Sequence, residues 1–491
     1  MTAKNLMVQG TMSSAGKSML VTGLCRLFYQ DGVAVAPFKS QNMALNSCVT
    51  EEGLEMGRAQ AVQARAAGLE PLVEMNPILL KPTSDRKSQV VVRGRVWDTL
   101  NAKDYYGKKK QLIPVVRESY DSIKEKYDLI LIEGAGSPAE INLLENDFVN
   151  MGMAEIADAP VILVGDIDRG GVFAQLVGTL ELLRPEERDR VKGFVINKFR
   201  GDPSILEPGL RMLEERTGKP VLGVVPYLNI RIEEEDSLAE EHEDEPEGEV
   251  DIAVIRFPRI SNATDLLPLE LEEGVRVRYV SGPDDLQTPG LILLPGTKST
   301  ISDLLWMREN GLEALILKRH SEGCPVMGIC GGFQMLGEEI RDPLGVEGPF
   351  QTRGMGLLPM TTQFAPEKIL RRVTGEVNRL EGFFAPLGGK KIRGYEIHMG
   401  QSESREENAF SVVEGQKSGS CFDRVLGTYL HGIFEEDEFR RAFVSLFSHK
   451  QETGDEPRSF QATQENQYDL LAQALRESLD MDRLREIIGM E

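Results

Sequence analysis

Residues 233–249, EEEDSLAEEHEDEPEGE, carry 11 acidic side chains and neither Lys nor Arg. Like-charge repulsion and a scarcity of apolar side chains keep such a stretch out of any core. A chain built around it folds as two bodies, with a boundary near residue 240, although the first acids, Glu233 to Asp236, can still face the site of the first body. The stretch supplies half of the net charge of −22, which arises from 56 Lys+Arg against 78 Asp+Glu. That balance argues against a nucleic-acid surface, whose footprint is a basic excess. The first residues run directly into a strand-like segment without a signal-peptide pattern. Apolar runs stay far below the ~20 residues that span a bilayer. No membrane partner and a cytoplasmic setting are therefore expected. The five cysteines are scattered without C-x-x-C spacing, against a disulfide framework or zinc cluster.

Both halves alternate short apolar runs with helix-like stretches, the pattern of parallel α/β sheets. The runs are Leu6–Val8, Val33–Ala36, Leu129–Ile132, Val161–Val164, Phe194–Ile196 and Val221–Val225, then Ile252–Ile255, Val275–Val280, Leu291–Leu294 and Val326–Ile329. The expected fold class is α/β, with two doubly wound parallel-sheet domains. Domain bounds follow: 1–232, an acidic linker at 233–249, 250–450, and a C-terminal helical extension at 451–491.

After the first run comes Gly10-Thr11-Met-Ser-Ser14-Ala15-Gly16-Lys17-Ser18, then a helix-like stretch with Leu20, Leu24, Leu27 and Phe28 on one face. Strand, glycine loop, Lys-Ser and helix form the context of a phosphate-binding P-loop. Glycines let backbone N–H groups turn onto phosphate oxygens, and the helix start adds its positive dipole end. Lys17 is placed to neutralise phosphate charge, and Ser18 to ligate Mg²⁺. The loop is one residue longer than the usual spacing. Two further strands end in chemistry-bearing residues: Glu133, in Glu133-Gly-Ala-Gly136, is a candidate Mg²⁺ partner, and Asn197 offers a donor and an acceptor to an adenine edge.

In the second half, Val326-Met-Gly328-Ile-Cys330-Gly331-Gly332 runs from an apolar strand through G-x-C-x-G into a helix-like stretch. This is the cysteine counterpart of a nucleophile elbow, where glycines permit a sharp turn that exposes the side chain. A cysteine nucleophile needs a base. His431 ends a short apolar strand in Tyr429-Leu-His431-Gly, and His398 is the runner-up. Gly296, in Leu294-Pro-Gly296-Thr, ends another strand and is a candidate for backbone oxyanion stabilisation.

The longer loop, the Glu-Gly-Ala-Gly and Asn197-Lys198 resemble the dethiobiotin-synthetase type of P-loop fold, which uses ATP to activate a carboxylate or carbamate for attack by nitrogen. More narrowly, residues 8–18, 37–47, 133–142 and 165–173 resemble the cobyric acid synthase family. The second half resembles a class I glutamine amidotransferase domain. That class usually carries an acid two residues after its histidine, whereas position 433 here is Ile. Cobyrinate-type amidotransferases are similar in lacking it, so the assignment is a Cys330–His431 dyad, with the histidine's orienting partner open.

The resemblance implies an ATP- and Mg²⁺-dependent ligase that amidates the b, d, e and g carboxylates of adenosylcobyrinic acid a,c-diamide with glutamine nitrogen. Its partners are then a corrinoid polycarboxylate and glutamine. The implied ATP-binding set is Gly10, Thr11, Ser14, Ala15, Gly16, Lys17, Ser18 and Asn197, with Ser18 and Glu133 at the metal. Lys39, Gln41 and Asn42, in an amide-rich loop, are the substrate candidates. Asp147 joins them because its surroundings resemble the family's active-site segment; the alternative for it is a helix cap. Residues 76–110 hold nine Lys/Arg against three Asp, a local positive excess suited to an anionic substrate. Two other readings are a sister amidoligase, cobyrinic acid a,c-diamide synthase, and a non-catalytic P-loop ATPase switch.

Overall fold

The computed structural model describes residues 3–84, 86–143, 145–233, 248–347, 351–448 and 459–490. Most of the predicted linker, 234–247, and the histidines at 242 and 449 lie outside the described residues.

The first body is a six-stranded parallel sheet in the order Val221–Pro226, Val191–Phe199, Val161–Asp166, Lys4–Gly10, Leu129–Glu133, Val35–Phe38. Its central strands are buried along their length, as expected where helices cover both faces. Parallel register sets Val8 beside Glu133, Gly10 beside Val164, and Asp166 beside Asn197. The P-loop, Glu133 and Asn197 therefore meet at the carboxyl edge, where open parallel sheets hold ligands.

The second body repeats the architecture in the order Val275–Val280, Val250–Ile255, Leu291–Leu294, Val326–Ile329, Val425–Thr428, Ser420–Phe422. All neighbours are parallel except the last, an antiparallel hairpin. Three further sheets, the smallest a two-stranded hairpin, were not anticipated. Met360–Val377 pairs antiparallel with Lys391–Ser404, the register shifting between Phe364 and Ile369. A small four-stranded sheet takes Gln41–Met43, Ile78–Ser84, Lys87–Val92 and Arg95–Asn101.

The described part of the C-terminal extension is two helices, Phe460–Ser478 and Met481–Ile488, which pack against the first body. Tyr468, Leu471 and Leu475 share a core with Leu20, Leu24 and Leu27 of the helix that follows the P-loop. Each such buried leucine contributes ~1.5–3 kcal/mol. Arg26 meets Glu465 and Asp469, each at 2.7 Å, and Arg476 and Arg485 converge on Asp31. Asp480 N donates to Leu222 O at 2.7 Å, tying the joint between the helices to the edge strand. Among the described residues, no helix is long and apolar enough to cross a membrane.

Candidate active site

There are two centres, one at the carboxyl edge of each main sheet. In the first, the loop after Gly10 turns through left-handed backbone at Ser14 (φ 58°) and Gly16 (φ 93°). A Cβ at Gly16 would overlap the Asn197 amide, so only glycine fits. Asn197 Nδ2 donates to Ala15 O at 3.0 Å. Its amide thus props the loop with one of its two N–H donors. Thr11 likewise points into the structure, its Oγ1 donating to Gln175 Oε1 at 3.1 Å. Lys17 Nζ arches back to Met12 O (2.9 Å) and crosses to Gly136 O (3.2 Å).

Glu133 is fully buried and collects three donors: Ser18 Oγ at 2.8 Å, Lys39 Nζ at 2.8 Å and Gln63 Nε2 at 2.5 Å. The structure thus brings the two metal candidates, Ser18 and Glu133, into contact. Among the described residues no three His, Cys, Asp or Glu gather as a metal cage. One carboxylate and one hydroxyl fit Mg²⁺, which keeps several waters and takes its other ligands from phosphates.

The substrate candidates fare differently. Lys39 is buried on Glu133 and belongs to the nucleotide end of the site. Gln41 accepts from the Tyr105 hydroxyl, and Asn42 is buried with Nδ2 on Gln60 Oε1 at 3.0 Å. Asp147 lies in the capping arrangement: it accepts from Val149 N and Gly152 N, each at 2.8 Å, and from Asn150 N. Both its oxygens are thereby committed ahead of the helix Met151–Ala157. Asp147→Ala is expected to cost ~1 kcal/mol or more of stability. Asp147→Asn, which replaces one acceptor by an NH₂ group, should lie between. Thermal melts check the order, and partly amidated intermediates building up in the Asn variant would restore a substrate role. The positive segment also divides, because Arg93 meets Glu118, Lys108 meets Asp98, and Lys81 is buried.

In the second centre, the strand Val326–Ile329 passes straight into the helix Gly331–Met335. Cys330 sits between them at φ 51° and ψ −107°, a conformation that costs a non-glycine residue on the order of 1–3 kcal/mol. Neighbouring contacts hold that strain: Cys330 N donates to Thr428 O at 2.8 Å and Gly332 N to Pro295 O at 3.1 Å. His431 Nδ1 meets Asp265 Oδ2 at 2.6 Å, and the ring shares the pocket with Cys330, whose Sγ lies 3.7 Å from Ile397 O. Asp265 Oδ1 takes Gly432 N at 2.9 Å, fixing the carboxylate in turn. Burial pulls the imidazole down, but Asp265 and the cysteine sulfur outweigh it and raise it to about 10. The Asp265 carboxylate thus favours the protonated imidazole.

Asp265 is the partner of His431 that the sequence left open. Asp265 comes from a short 3₁₀ turn, Ala263–Leu266, far upstream of the histidine. His398 is excluded as the base, since burial lowers it to about 4 and its Nδ1 lies 2.7 Å from Gly400 O. It stacks on Tyr429 and lines the pocket. Gly296 borders the His431 ring, where a Cβ would come 2.9 Å from Cε1, and its carbonyl accepts from Ser261 N. A Cβ on Gly331 would lie 3.1 Å from Thr297 N, so the amide next to Gly296 is the one that faces the elbow.

Asp265→Asn should lower glutamine-dependent turnover by about 10²–10⁴-fold, as loss of an orienting carboxylate does elsewhere. It removes the charge that raises His431, so the imidazolium is lost at lower pH. The alkaline limb of the glutaminase profile should then move to lower pH than in the unaltered protein. An unmoved limb would contradict the role given to Asp265.

Residues 6–238 match the CobQ/CobB/MinD/ParA nucleotide binding domain, and residues 251–439 match the CobB/CobQ-like glutamine amidotransferase domain. Over 508 residues the chain is 53% identical to a cobyric acid synthase of Lachnoclostridium phytofermentans, covering 99% of each. It is 51% identical to one of Ruminiclostridium cellulolyticum (99% of this chain, 97% of the relative) and 50% identical to one of Photorhabdus laumondii (98% and 97%). The chain belongs to the cobyric acid synthase family. As a member it is a glutamine amidotransferase ligase acting in cobalamin biosynthesis, with a nucleotide-binding first domain.

In this member of the family a hairpin of the first body, Ser47–Val49 with Glu55–Gly57, plugs into the second. Ser47 N donates to Asn262 Oδ1 at 2.9 Å, and Arg372 Nε to Val49 O at 2.8 Å. The helix Arg58–Ala66 then spans the distance between the centres. At its start, Arg58 donates to Tyr395 Oη at 2.6 Å, and the Tyr395 ring stacks on His431. Farther along, Gln63 holds Glu133. Glu233, the one described acid of the run from 233 to 236, is buried against Arg58 and Arg65 at this seam.

Proposed function

We propose that the chain uses ATP and glutamine to amidate the b, d, e and g carboxylates of adenosylcobyrinic acid a,c-diamide, giving adenosylcobyric acid. The observation that carries this reading is the pairing of a buried Cys330–His431–Asp265 triad with a P-loop carboxylate centre on one chain. A carboxylate resists attack because its oxide is a poor leaving group. Transfer of a phosphoryl group to it creates a good one, and ammonia then displaces phosphate. Lys17 and the loop amides bind and align the phosphates, while Ser18 and Glu133 would hold Mg²⁺, which neutralises phosphate charge.

Ammonia comes from the second centre. The Cys330 thiolate attacks the glutamine side-chain carbonyl, with the developing oxyanion facing the Thr297 and Gly331 amides. His431 passes its proton to the leaving nitrogen, releasing ammonia and a γ-glutamyl thioester. The now neutral imidazole takes a proton from water, which attacks the thioester, releases glutamate and frees the Cys330 sulfur for another round. The test is mass spectrometry of the a,c-diamide incubated with protein, Mg²⁺, ATP and glutamine. Successive hydroxyl-for-amine mass steps up to the fully amidated corrinoid are expected. Amidation of cobyrinic acid only at a and c would assign the chain to the sister activity instead.

A further inference from the structure

The pocket that opens at Cys330 carries charged groups in its lining, and part of its wall comes from the other body. Lys298, Lys368 and Glu347 line it from the second body, and Lys81 from the first. Glu55, also of the first body and fully shielded, bridges two of the lysines: Lys81 Nζ at 2.8 Å and Lys368 Nζ at 2.5 Å. Ser47 Oγ steadies Lys81 at 2.8 Å. Lys298 Nζ reaches Gln89 Oε1, a neutral acceptor, at 3.3 Å. Glu347 accepts from Thr300 N at 2.7 Å, and the turn that carries it is pinned by Asp342, which takes Val346 N and Glu347 N. Three lysines and two carboxylates leave an excess of one positive charge, with Glu347 as the acid outside the lysine bridge.

A glutamine whose side-chain amide lies at Cys330 projects a carboxylate and an ammonium from its α-carbon, two methylenes away. We infer that these charged groups form the subsite for the α-carbon groups of glutamine: Lys298 and Lys368 take the carboxylate, and Glu347 takes the ammonium. The inference rests on Cys330 being the glutaminase nucleophile. A zwitterion matches the pocket's charges in kind and in sign. Burial lowers both Lys298 and Lys368 and raises Glu347, outweighing the opposite pull of Glu55 on Lys368 and of Lys298 and Glu347 on each other, so a further partner of opposite sign favours each charge. Glu55 orients Lys368 from the other body, so the glutamine site is complete only when the two bodies are docked. Lys81 thereby has a place different from the one its basic neighbourhood suggested, holding Glu55 instead of drawing in the corrinoid.

The test uses the full-length protein and three amides: glutamine, glutaramate, which lacks the α-ammonium, and 4-aminobutanamide, which lacks the carboxylate. Lys298→Ala is expected to raise the KM for glutamine at least tenfold, with kcat changed much less. The preference for glutamine over 4-aminobutanamide should collapse, while that over glutaramate persists. Glu347→Gln should do the reverse. Ammonium-supported amidation reports that each variant is folded. An unchanged glutamine KM, or equal losses against all three amides, overturns the subsite. If Cys330→Ala also keeps glutamine-dependent turnover, the nucleophile assignment itself has failed; if it loses that turnover, only the subsite has.

Discussion

Cys330→Ala is expected to lose glutamine-dependent amidation by on the order of 10⁴–10⁶-fold, while ammonium salts still support the reaction. Removing the sulfur leaves no atom to form the thioester, and neither His431 nor the backbone amides can supply one. The strained backbone stays as it is, because Ala and Cys both carry a Cβ at φ 51°. Cys330 N keeps its bond to Thr428 O, so the elbow keeps its shape. Nothing in the P-loop centre touches the sulfur, and ammonia added from solution bypasses the missing step. Rates with glutamine and with ammonium chloride, measured on one preparation, check this. Glutamine-dependent turnover near the unaltered rate would remove Cys330 from the mechanism.

What the sequence revealed of this site, and what it hid, follows from how local each signal is. The elbow and the P-loop are contiguous: glycines at fixed offsets force a turn at one place, and an apolar strand on one side with a helix on the other fixes its direction. Glu133 and Asn197 were legible for a related reason, since a strand ending in a polar residue places it at the ligand edge of a parallel sheet. Asp265 has no such signature. It lies in a short turn after the first strand of its body and reaches His431 only because the strands between them stack in register. Looking for an acid beside the histidine could not find it.

Other misses are tertiary in the same way. Nothing in Leu471 or Leu475 says which surface they will cover, and the helix that carries them crosses back to the first body. In residues 76–110 the charge count does not tell which side chains are spent within the fold: Lys81 faces inward onto Glu55, Arg93 pairs with Glu118 and Lys108 with Asp98. The strands Met360–Val377 and Lys391–Ser404 are half exposed and carry many charges, so they lack the continuous apolar run that marked the buried parallel strands.

Lys17→Ala should separate the two centres from the opposite side. Its ammonium is held by Met12 O and Gly136 O, a position that spans the P-loop and the loop after Glu133. Phosphates entering there replace those carbonyls with charged oxygens, and the stabilisation grows as charge shifts during phosphoryl transfer. Without it, amidation is expected to fall by about 10²–10³-fold with glutamine and with ammonium alike, the size associated with losing one charge-stabilising donor. Lys17 contacts neither Cys330 nor the pocket around it, so hydrolysis of glutamine to glutamate should continue in the variant. The nitrogen source therefore distinguishes Cys330→Ala from Lys17→Ala, and the released glutamate distinguishes them again. A Lys17→Ala protein that amidates normally with ammonium would show that activation of the carboxylate does not take place at the P-loop.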